Sequence, residues 1–98
     1  LRPSANYLFR SLAQTFGPRA AGIILTGMGD DGTEGLSVLR QAGGLTIAQD
    51  KESCVVCGMP QEALARNAAR RELTLDQIAM TLVRLNGQVV RKEEIPHE

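Results

Sequence analysis

The chain has 98 residues with 11 Lys+Arg against 11 Asp+Glu, which is one small domain at most with no net charge to grip nucleic acid or an anionic membrane surface. Apolar residues make up 43% of it, yet only Tyr7, Phe9 and Phe16 are aromatic, so the core must be aliphatic. No apolar run is long enough to span a bilayer, no charged-then-apolar leader opens the chain, and two cysteines make no disulfide framework, so the expectation is a reduced, cytoplasmic protein without membrane insertion.

The chain starts at Leu1 rather than Met and reads as part of something longer. Ser4 is placed to cap a helix reaching about Phe16, with Leu8, Phe9, Leu12, Ala13 and Phe16 as its apolar face. Gly17-Pro18 ends that helix. Residues 22–26 (Gly-Ile-Ile-Leu-Thr) lack polar alternation, as a parallel strand buried on both faces would. A glycine-rich turn, Gly27-Met28-Gly29-Asp30-Asp31-Gly32, follows directly. A helix is expected over Thr33 to Ala42, with Leu36 and Leu39 inward and Gly43-Gly44 as its stop. Leu45 to Ala48 reads as a second strand and Gln49 to Ser53 as a loop. Pro60 suits the first position of a helix through about Asn67. Arg71-Glu72-Leu73 reads as a short edge strand. Thr74 and Gln77 make a capping box for a last helix. Ile78, Leu82 and Leu85 would line its buried face and Asn86-Gly87 would close it. The tail from Gln88 onward mixes charges with a proline and should fray.

Strand, ten-residue helix and strand form a βαβ unit with parallel strands. Two or three strands fall short of the usual doubly wound sheet. The chain therefore reads as half of an α/β domain, with an open sheet edge that can drive self-association.

Gly27-x-Gly29-x-x-Gly32 fits the dinucleotide fingerprint, and Asp50 stands where a ribose-binding acid would. The charge of the loop opposes that reading, because Asp30 and Asp31 would face the pyrophosphate. A sharp turn at a strand's C-terminal end also suits an acid that orients a histidine, and amides that stabilise an oxyanion. The plainer role for either aspartate is to cap the following helix. No Gly-x-Ser-x-Gly is present, and the one histidine, His97, lies in the tail. Cys54-Val55-Val56-Cys57 has no second Cys pair or ordered His to complete a zinc site, and two valines stand between its cysteines where a redox pair would have an electropositive helix start, so both cysteines read as small hydrophobes. No cofactor and no metal is expected. Arg66, Arg70 and Arg71 read as a solvated helix face.

Arg2-Pro3-Ser4, Leu8-Phe9-Arg10-Ser11, the run from Gly22 to Gly32, Ala42-Gly43-Gly44, Ala48-Gln49-Asp50 and the run from Ser53 to Pro60 together resemble the chemotaxis protein-glutamate methylesterases (CheB). The likeness is collinear from Arg2 to about Leu85. It implies the C-terminal half of a doubly wound, mainly parallel, Rossmann-like sheet with flanking helices, over residues 1–87, with 88–98 as a flexible tail. It further implies hydrolysis of γ-glutamyl methyl esters on chemoreceptors and deamidation of receptor glutamines through a Ser-His-Asp triad. By the same resemblance the triad acid falls on Asp31. Met28 supplies a candidate oxyanion amide within the loop of Gly27, Gly29 and Gly32. The family's Ser and His precede the region matched here, so these residues alone would be inactive. Methyl-accepting receptors and an N-terminal receiver domain are the implied partners. Asp30 departs from the small polar residue usual at its position, and Cys57 replaces an aromatic. The alternatives are a non-catalytic α/β interaction fragment and a dinucleotide-binding βαβ unit.

Overall fold

The computed structural model describes residues 4–26 and 31–89, apart from the side chains of 86–89. Helix α1 (Ala5–Thr15) leads through a short 3-10 turn (Gly17–Arg19) into strand β1 (Ala21–Ile24). Then come α2 (Thr33–Gln41), β2 (Leu45–Gln49), α3 (Gly58–Ala65), β3 (Arg71–Leu73) and α4 (Leu75–Val89). The three strands form one sheet in the order β1-β2-β3. Both pairings are parallel, with Ile23 opposite Ile47 and Gln49 opposite Leu73. The α/β class, the parallel βαβ unit and the edge position of β3 are thus as expected from the sequence.

Strand side chains alternate between two faces. Ile24 and Ala48 face a core shared with Phe9 of α1, Leu36 and Leu39 of α2, and Ala63 of α3. Ile47 faces the other way and meets Leu73 and Ile78, with Ile23 and Leu45 beside them. Three helices therefore cover one face and α4 the other. Leu36, Leu39 and Ile47 have no exposed surface. Gly22 lies under α2, where an added Cβ would stand 2.7 Å from Leu36 Cδ1 and 2.9 Å from Leu39 Cδ2.

Several local expectations are corrected. In α1 the inward residues are Ala5, Phe9, Leu12 and Ala13, while Leu8 and Phe16 are exposed. The sheet ends at Ile24, so Leu25 and Thr26 already belong to the loop, and β2 extends one residue further to include Gln49. Helix α3 begins at Gly58, which makes Pro60 its third residue. That position is still free of any demand for an N–H, because the first turn has no intrahelical acceptor. Arg71 belongs to β3, not to a helix face. In α4 the capping box forms: Gln77 N–H donates to Thr74 Oγ1 at 3.1 Å and Thr74 N–H to Gln77 Oε1 at 2.9 Å. Ile78 is buried, but Leu82 is exposed. Three short strands offer α4 too little apolar surface to cover its whole stripe. Asn86-Gly87 does not stop the helix, which continues to Val89. Residues 90–98, with His97, lie outside the described region.

Candidate active site

The C-terminal ends of β1 and β2 lie side by side, as the parallel pairing requires. In open α/β sheets this is the end where ligands bind. Two loops leave from it. The first connects β1 to α2 and contains the glycine-rich turn. The second, residues 50–57, connects β2 to α3. Of the first loop's expected site residues, Asp31 and Gly32 are described; Gly27, Met28, Gly29 and Asp30 lie outside the described residues.

Asp31 is solvent-exposed. Its Oδ2 accepts a hydrogen bond from Ala5 N–H at 3.2 Å. Ala5 is the first residue of α1, whose N-cap Ser4 accepts from Tyr7 N–H at 3.1 Å. The carboxylate therefore sits at the positive end of α1, where a negative charge is stabilised. This corrects the plainer reading of Asp31 as the cap of α2. The N-cap of α2 is Gly32, at φ +105°, and no side chain of its own caps the helix there. A positive φ of that size is accessible to glycine and costly for residues with a Cβ.

The capping is done from outside by Asn6, whose Oδ1 accepts from Gly32 N–H at 3.1 Å and from Gly35 N–H at 2.7 Å. One amide of α1 thus satisfies two of the orphan donors that every helix start presents. The close approach this needs is made at Gly35, where an added Cβ would lie 2.6 Å from the backbone oxygen of Asn6 and 2.7 Å from its Cα. Arg10 and Glu34 add an exposed ion pair at 2.6 Å between the same two helices. Asn6 was not singled out from the sequence. The available signal was an amide three residues before Phe9, beside the inward stripe of an amphipathic helix.

The end of β2 and the second loop together grip the first. Thr26 N–H donates to Gln49 Oε1 at 3.0 Å, and Gln49 is buried at 2% exposure. Gln49 Nε2 donates onward to Ser53 O at 2.9 Å and Oγ at 3.2 Å. The Thr26 hydroxyl donates to Val56 O and accepts from Val56 N–H, both at 2.8 Å. The Asp50 carboxylate accepts from Ser53 N–H at 3.2 Å and from the Ser53 hydroxyl. It therefore closes the turn of this loop. Cys54 and Cys57 are joined by a disulfide. That corrects their reading as small hydrophobes: the turn brings residues three apart to a Cα separation of 5.6 Å, within the range a disulfide bridges.

No group of three or more His, Cys, Asp or Glu that could hold a metal occurs among the described residues. No helix among them is long and apolar enough to cross a membrane. The family model for CheB methylesterase matches residues 1–82. The chain belongs to the CheB methylesterase family. Among its relatives, the protein-glutamate methylesterase/protein-glutamine glutaminase 4 of Anaeromyxobacter dehalogenans is 53% identical over 87 residues, 89% of this chain and 24% of that protein. The corresponding protein 3 of Geobacter metallireducens is 52% identical over 86 residues, 88% of this chain and 24% of that protein. The crystal structure of the Thermotoga maritima CheB methylesterase catalytic domain superposes with a TM-score of 0.80 at 37% identity, over 86% of this chain and 44% of that one. The chain thus spans about a quarter of these curated relatives' length, and under half of the crystallised domain. The Rossmann-like α/β class is established by that superposition together with the parallel sheet.

Proposed function

We propose that the protein containing these residues is a protein-glutamate methylesterase and glutamine deamidase acting on chemoreceptors, and that this segment contributes the acid of a Ser-His-Asp triad, Asp31. The observation that carries the assignment is the placement of the Asp31 carboxylate. It is exposed at the C-terminal end of the sheet, and one oxygen is tied to the N-terminus of α1. A triad acid must be rigid and must present an acceptor to an imidazole. A carboxylate fixed by a backbone amide, on a loop clamped at both ends, meets that need. Thr26 holds the entry to the loop and Asn6 holds its exit.

The serine and histidine come from the part of the protein outside these 98 residues. The serine hydroxyl attacks the γ-carbonyl of the methyl ester. The histidine takes its proton and returns it to the leaving methoxide, and methanol departs. Water then cleaves the acyl-enzyme by the same route and frees the glutamate carboxylate. Asp31 keeps the histidine in the tautomer that can accept the serine proton, and it stabilises the imidazolium that forms. The oxyanion is held by backbone amides of the glycine-rich turn, with the Met28 amide, on the resemblance to the family, as the candidate donor. By itself the segment has no esterase activity, for want of the nucleophile and the base.

The test is methanol release from methylated receptor by the full-length protein. Asp31→Asn should lower kcat by roughly 1,000- to 10,000-fold, while Asp30→Asn changes it by less than about tenfold, a barrier difference of about 1.4 kcal/mol. Equal losses in the two variants would show that the acid is wrongly assigned.

A further inference from the structure

The Cys54–Cys57 disulfide closes a ring through Val55 and Val56, and Val56 is the residue that holds Thr26. Thr26 in turn stands five positions before Asp31 in the same loop. Burial does little to hold the ring in place, since Val55 is 91% exposed and Val56 39%. Val56 is held by the Cys54–Cys57 link that spans it and by the two hydrogen bonds to the Thr26 hydroxyl, between Ser53, which Gln49 and Asp50 hold, and the start of α3 at Gly58. Both cysteines are only partly buried, and Lys51, Glu52 and Ser53 beside them are exposed, so a small solute can reach the sulfurs.

We propose that Cys54 and Cys57 form a reversible redox site, with a small-molecule disulfide of the glutathione type as co-reactant, whose oxidation state sets the anchoring of the Asp31 loop at Thr26. One cysteine thiolate attacks the disulfide RS–SR, forms a mixed disulfide and releases one RS⁻. The other cysteine thiolate attacks the protein sulfur of that mixed disulfide, forms the Cys54–Cys57 bond and releases the second RS⁻. Two electrons pass from the cysteine pair to RS–SR. The two thiol protons of the reduced pair end on the two RSH produced. In the oxidised state Val56 presents its N–H and its C=O to one hydroxyl. Reduction opens the ring, Val56 gains rotational freedom, and the hydroxyl of Thr26 loses both partners together. The redox site and its link to Thr26 stand on this geometry alone. Their consequence for turnover rests on the methylesterase reading above.

The experiment uses the full-length protein equilibrated across a series of reduced-to-oxidised glutathione ratios. After acid quenching, free thiols are alkylated and counted by mass. Amide exchange at Thr26 and Val56 is read on the same samples. The peptide carrying Cys54 and Cys57 should pass from two labels to none in a single two-electron transition. Exchange at Val56 should be about tenfold faster in the reduced state, the effect of losing one net hydrogen bond. Thr26→Val should leave the labelling transition in place and abolish the redox response of exchange. The double variant Cys54→Ser, Cys57→Ser should show the fast exchange at every ratio. The proposal is overturned if both thiols stay labelled at the most oxidising ratio, or if neither can be labelled at the most reducing one. It is equally overturned if the transition occurs and exchange at Thr26 and Val56 is the same in both states. Absence of methanol release in either state, with labelling and exchange behaving as described, would refute the methylesterase reading and leave the redox site standing.

Discussion

Replacing Asn6 by alanine removes the external cap of α2. The side-chain oxygen accepts two backbone donors, Gly35 N–H at 2.7 Å and Gly32 N–H at 3.1 Å. Gly32 and Gly35 are both buried, so in the variant neither amide gains full hydration. Leaving a buried donor unmade costs about 1–3 kcal/mol, and a lost cap about 1 kcal/mol. The two donors share one acceptor, so their losses overlap, and the local cost is about 2–3 kcal/mol. At roughly 1.4 kcal/mol per decade, Gly35 N–H should then exchange about 30- to 150-fold faster in Asn6→Ala than in the parent protein. Asn6→Asp keeps the acceptor and places negative charge at the start of α2, which the helix dipole favours. Its Gly35 protection should stay within about threefold, a difference below roughly 0.7 kcal/mol. Because Asn6 acts through the loop, methanol release should show a fall in kcat larger than any change in KM, and Asn6→Asp should restore most of it. Unchanged Gly35 protection in Asn6→Ala would refute the capping argument. So would an Asn6→Asp variant as impaired as Asn6→Ala.

Other substitutions probe the frame around the site. Gly35→Ala drives a Cβ into the Asn6 backbone, which cannot rotate away as a side chain would. It should lower stability by about 1–3 kcal/mol or more, measured as a shift in the denaturation midpoint. Leu36→Ala and Leu39→Ala each empty a fully buried position between α2 and the sheet and should cost about 2–5 kcal/mol in the same measurement. Thr74→Ala removes the cap of α4 and should cost about 1 kcal/mol without altering kcat, since α4 packs on the face of the sheet opposite α1 and α2. Asn67 has φ +59° and its carbonyl accepts from Arg40 Nη1 at 2.6 Å. Asn67→Gly should therefore be nearly neutral, and Asn67→Val should destabilise by about 1–2 kcal/mol.

The backbone plan was readable in the sequence because strong local signals agreed there with the tertiary structure. Ser4 and the Thr74/Gln77 pair announce helix starts by chemistry that needs no distant partner. The mainly apolar runs of β1 and β2, without regular polar alternation, suit a sheet covered on both sides, and Leu36 and Leu39 fall on the inward face of α2 as their spacing demands. The misreadings arise where a distant residue decides. Leu8 and Leu82 are as apolar as their buried neighbours, but Leu8 lies off the stripe that α1 turns inward and Leu82 finds no cover from the three short strands. Asp31 had a local role available as a cap, and that role went instead to Asn6, on a helix more than twenty residues earlier. The link from Thr26 to Val56 spans thirty positions and rests on a hydroxyl with no pattern around it. The cysteine pair looked inert because its intervening residues are valines. Its geometry follows from the turn that Asp50 and Ser53 close, which spacing alone does not reveal.

The most direct test of the account is one distance in a crystal structure of the complete catalytic domain that contains this segment. The Asp31 carboxylate should lie about 2.7–2.9 Å from an imidazole Nδ1, the span of a charge-assisted N–H···O bond, with that ring's Nε2 facing a serine hydroxyl. An imidazole bonded instead to Asp30, or no imidazole within about 4 Å of Asp31, would contradict it.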